Sequence, residues 1–168
     1  MSELVRCFEQ LIHPEWLLER QGGEWLLRES QARGNQHSLL RIQGGPSLAF
    51  SLDKSGSDPW PFLGDKLPGI RKVSDAIVLT QKQDRAYVIA IEMKSRDESK
   101  ASQQIHNARL FIDWLFKLLE TRRHWQGRYE FCGIISFRPR NQERRGTTAR
   151  AADLPKPSLK PGLSSIPP

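Results

Sequence analysis

Two apolar, β-branched runs joined by a short polar break occupy the middle of the chain: VSDAIVLT from Val73, then QKQDR, then AYVIAIEMK ending at Lys94. Runs of this length and composition predict an antiparallel hairpin. Asp75 stands near the start of the first run, and Glu92 and Lys94 end the second with Met93 between them. Strand side chains alternate between faces, so Glu92 and Lys94 share one face while Ile89, Ile91 and Met93 share the other. Charges on a half-buried strand must be paired or ligated. Their convergence suits a hard divalent cation such as Mg²⁺, or Mn²⁺, which takes oxygen ligands and keeps waters for substrate phosphates. The plain alternative is an exposed ion pair at a strand end, which contributes little.

The segment after the hairpin strengthens the pattern. Ser99 to Glu120 predicts a long helix, with Ile105, Ala108, Ile112, Leu115 and Leu119 at three- and four-residue intervals. Phe111, Trp114, Phe116 and Leu118 widen its apolar face, which suggests cover by a partner subunit. Tyr129 to Phe137 (YEFCGIISF) reads as another buried strand, and residues 86 to 137 have the length of a strand–helix–strand crossover.

Ser74-Asp75, Glu92-Met93-Lys94 and a helix opening Ser102-Gln103-Gln104 together resemble the PD-(D/E)xK nuclease superfamily, over roughly residues 47 to 137. The resemblance implies an α/β fold, a three-layer restriction-endonuclease-like core with a mixed β-sheet flanked by helices. It implies a Mg²⁺-dependent endonuclease that hydrolyses phosphodiester bonds. Asp75 and Glu92 would be metal ligands, the Met93 carbonyl a further one, Lys94 the residue that orients the attacking water, and Gln104 a supporting group. Glu9, on the first helix, is the candidate for an additional acid. Ser74 replaces the proline of the motif name, and no tyrosine lies four residues after Gln103 or Gln104, where Asn107 and Ala108 stand.

The rest of the chain bounds these expectations. Its 168 residues allow one domain, expected over 1–150, with a flexible Pro-rich tail over 151–168. A net charge of +7 favours a polyanionic partner, with DNA ahead of RNA. Arg71 and Lys72 precede Asp75, and five arginines against one acid fill residues 138 to 150. Arg138, Arg140, Arg144 and Arg145 are accordingly candidates for binding phosphate. A homodimer or a protein partner is also compatible with the broad helix.

The two cysteines, Cys7 and Cys132, support neither a disulfide framework nor a zinc site. His13, His37, His106 and His124 have no nucleophile or metal spacing around them. Neither glycine pair has phosphate-loop spacing. The N-terminus lacks a signal-type apolar core and no run reaches membrane-spanning length, so a cytoplasmic protein without a membrane partner is expected.

Earlier in the chain, Ser2 to about Glu19 predicts an amphipathic helix capped by Ser2 and interrupted at Pro14. Trp25 to Leu27 is open between helix and strand, and Pro46 to Asp53 reads as the first core strand. Trp60 and Phe62, in a Pro- and Gly-rich loop, either cover a groove or pin the loop to the body. Two further readings stay open: a nuclease-fold subunit that binds without cutting, and a protein-interaction subunit whose Asp…Glu-x-Lys is accidental.

Overall fold

The computed structural model describes residues 2–28, 39–83, 85–94 and 99–137, all within the compact unit Met1–Arg138. The second unit, Pro139–Pro168, lies outside the described residues.

Helix α1 spans Glu3–Leu11, and the Ser2 hydroxyl accepts from Val5 N–H at 3.3 Å, satisfying one of the donors a helix start leaves open. The helix stops well before Glu19. Pro14 opens a separate 3₁₀ turn, Pro14–Trp16, and the chain then becomes extended. Three short strands follow: β1 (Glu19–Gln21), β2 (Glu24–Arg28) and β3 (Leu39–Gln43), paired as an antiparallel meander. Trp25–Leu27 is thus strand.

The principal sheet has β4 (Ser47–Phe50), β5 (Ala76–Lys82), β6 (Arg85–Lys94) and β7 (Tyr129–Phe137) in the order β4-β5-β6-β7. The first two pairings are antiparallel and β6–β7 is parallel. The predicted hairpin is present, with Asp75 just ahead of its first strand. Between β6 and β7 runs α2, Ser99–Thr121, the crossover that a parallel pair requires.

Pairing register assigns the faces. Leu48, Leu79, Val88 and Phe131 stand in one cross-sheet row. Gly133 on that face lies so close to α2 that an added Cβ would sit 2.4 Å from Ile105 Cγ2. Both helices occupy this face: α1 packs on β4 and β5, α2 on β6 and β7. They touch through Phe8 and Phe116, whose rings are 5.2 Å apart.

On the opposite face the small sheet brings Trp25 to β4, where the indole N–H donates to the Ser47 hydroxyl at 3.0 Å. The architecture is therefore mixed α/β with two sheets. Helices were expected to flank the mixed sheet; among the described residues both lie on one side, and the meander of β1, β2 and β3 covers part of the other. Strand β7 also departs from its expected burial. Among the described residues it has one neighbour, β6, and Cys132 and Ile134 are exposed. No described helix is long and apolar enough to cross a membrane.

Gly133→Val is expected to cost about 1–3 kcal/mol, since the new side chain must displace Ile105. Urea unfolding of Gly133→Val, Ile105→Ala and the double variant checks this. The double variant should be more stable than the sum of the two single losses.

Candidate active site

The C-terminal end of β6 and the approach to β5 bring two acids together. Glu92 is fully buried, and one of its carboxylate oxygens accepts from Asp75 N–H at 3.3 Å. Reciprocally, the half-buried Asp75 carboxylate accepts from Met93 N–H at 2.5 Å. Each acid therefore fixes the backbone beside the other. Both line a cleft of about 1050 Å³, together with Met93 and Gln104.

The wall beside Asp75 is the segment Gly69–Val73, and α2 holds it. The buried Gln104 donates its side-chain amide to Val73 O at 2.8 Å. Asn107, one turn on, donates to Gly69 O and Lys72 O, each at 2.8 Å. Gly69 has φ +85°, a backbone conformation that favours glycine, and the exposed Gln103 amide lies where a Cβ would point and would have to swing aside. The polar start of α2 thus sets the path of the chain into Asp75.

Further out, Trp60 meets Phe111 edge-on at 5.3 Å and pins the 54–68 loop to α2, while Phe62 is 77% exposed. In the same loop Asp58 accepts from Trp60 N–H at 2.9 Å and pairs with Arg71 at 2.5 Å. The Trp60 N–H, and after it Arg71, hold the Asp58 carboxyl below its usual pKa.

Comparison with known proteins finds no match: no family model, no curated protein and no solved structure matches this chain.

The sequence-predicted residues divide accordingly. Asp75, Glu92, Met93 and Gln104 come together, and Arg71 and Lys72 line the same cleft. Lys94 is placed as the last residue of β6, paired with Phe137; its side chain lies outside the described residues. Glu9 is exposed on α1 and is not among the residues lining the cleft. Arg138, Arg140, Arg144 and Arg145 lie outside the described residues.

Among the described residues no group of three or more acids, histidines or cysteines gathers, so Asp75 and Glu92 stand as a pair. Two carboxylate donors suit Mg²⁺ or Mn²⁺, for which one or two protein carboxylates plus waters and substrate oxygens suffice. They do not make a structural zinc centre, which needs four nitrogen or sulfur ligands.

Sequence reasoning missed Asn107 and Lys100. Lys100 lines the cleft from the first turn of α2, and its only sequence signal was its position four residues before Gln104.

Proposed function

We propose that this chain is a metal-dependent endonuclease of the PD-(D/E)xK type, acting in the cytoplasm on DNA ahead of RNA. The observation that carries the reading is the reciprocal Asp75–Glu92 arrangement, each carboxylate bonded to the backbone next to the other at the edge of one large cleft. The order of elements supports it: an antiparallel meander whose last strand ends in Glu-x-Lys, a crossover helix and a parallel fourth strand.

In this reading Asp75, Glu92 and the Met93 carbonyl would hold Mg²⁺ or Mn²⁺. When bound, such an ion would supply polarisation of the scissile phosphate and a lowered pKa for the attacking water. Lys94 would orient the nucleophile. Gln104 acts indirectly, by holding Val73 and so the approach of Asp75. Arg71 is half-committed to Asp58 and stiffens the wall, while exposed lysines face the phosphates.

The test is cleavage of supercoiled plasmid, linear duplex, single-stranded DNA and RNA in Mg²⁺, Mn²⁺ or EDTA. Cutting is expected with either metal and is expected to stop in EDTA. If no substrate is cut in either metal while nucleic acid is still bound, the chain is a binding subunit and the catalytic reading is wrong.

A further inference from the structure

Five cations line the cleft among the described residues, and their commitments differ. Arg28 lies 3.6 Å from Glu19, Lys54 donates to Glu15 O at 2.8 Å, and Arg71 is paired with Asp58. The side chains of Lys72 and Lys100 are exposed, and their ammonium groups have no hydrogen-bond or ion-pair partner among the described residues. A lysine carries three donors and a compact charge, and such a group facing a cleft beside two carboxylates is available to an anionic ligand.

The two lysines are also held in fixed relation. Asn107 grips the Lys72 carbonyl, and Lys100 stands seven residues before Asn107, on the same face of α2 as Gln103 and Gln104. Seven residues of helix span roughly 10 Å, which corresponds to about three nucleotides of a strand rising 3.4 Å each. Lysines anchored at the two ends of this stretch of α2 can reach different phosphates of one strand.

We infer that Lys72 and Lys100 form a two-point phosphate grip that draws a nucleic-acid strand across Asp75 and Glu92 without reading its bases. The inference rests on the nucleic-acid reading of the cleft, and it adds the strand's backbone as what this wall recognises. Arg71 contributes less to the grip because Asp58 already holds it.

Binding of a labelled single-stranded oligonucleotide and of a duplex to the full chain in EDTA, across a salt series, tests this apart from cutting. Each phosphate contact contributes about 0.9 to the log–log salt slope on duplex and about 0.7 on a single strand. Lys72→Ala and Lys100→Ala should each lower the slope by that amount, and the double variant by both. Lys100→Arg should keep the slope, and Lys117→Ala, which removes a cation paired with Glu120 outside the cleft, should leave it unchanged.

An unchanged slope in the double variant, or no binding by the wild type, overturns the grip. If the double variant keeps its slope while the wild type cuts, the nuclease reading survives and only the grip falls. If the slopes drop as expected but nothing is cut in any metal, the grip stands and the catalytic reading falls.

Discussion

Glu92→Gln is expected to lower Mg²⁺-dependent cleavage roughly a hundredfold or more while the protein stays folded. The size follows from the several kcal/mol of charge stabilisation a bound cation contributes, at about 1.4 kcal/mol per tenfold in rate. The amide matches the carboxylate in size, and its carbonyl oxygen can still accept the Asp75 N–H, so the local backbone keeps its bond. What is lost is a negative charge at a fully buried position. Circular dichroism and urea unfolding of the variant should therefore resemble the wild type, while plasmid nicking collapses. Cutting at the wild-type rate would remove Glu92 from the site and, with it, the pair on which the proposed function rests.

The largest effect on stability is expected from Phe8→Ala, at about 3–5 kcal/mol. Phe8 is fully buried and meets Phe116 at 5.2 Å, and Phe116 in turn stacks on Tyr129 at 4.1 Å and meets Trp125 at 5.0 Å. One ring thus links α1, α2 and the start of β7. Such a loss is a large share of the roughly 5–15 kcal/mol that holds an ordinary domain together. The urea midpoint should fall with an unchanged slope. Because α1 contributes no residue to the cleft lining, cleavage per folded molecule should stay near wild type in conditions where the variant remains native. A loss below about 1 kcal/mol would mean that the aromatic cluster closes over the gap, contrary to the cavity cost expected for such a site.

Where one local pattern decides an element, the sequence was readable. Two apolar, β-branched runs about a polar break gave the hairpin, three- and four-residue spacing gave α2, and Pro14 marked the end of α1's reach. The meander of β1, β2 and β3 had no such pattern. Glu19, Arg20 and Gln21 are all exposed, and what makes them strand is pairing with Glu24, Trp25 and Leu26 across a turn. The apolar composition of β7 suggested a buried strand, but burial depends on neighbours, and among the described residues this strand has one.

The same division holds in the site. Asp75 and Glu92 could be placed together because the hairpin is local. Asn107 could not, since its partners at Gly69 and Lys72 lie more than thirty residues away and bond through backbone carbonyls that leave no trace in side-chain type. Nor could the difference between Arg71 and Lys72 be read, because it is made by Asp58 in a distant loop.

The hairpin's register has a consequence for how this protein can change. Glu92 faces α2 because Ile77 pairs with Ala90 and Ala76 with Ile91. A slip of one residue would turn every side chain of β6 over and set Met93 where Glu92 now stands. The turn after Lys82 that fixes this pairing is seven residues from Asp75, roughly 23 Å along the strand. A single residue inserted at that remote tip would silence the acids without touching them, whereas the 54–68 loop at the opposite end can lengthen with no effect on which way Glu92 points. The hairpin tip is thus the ruler by which the acids are measured into place.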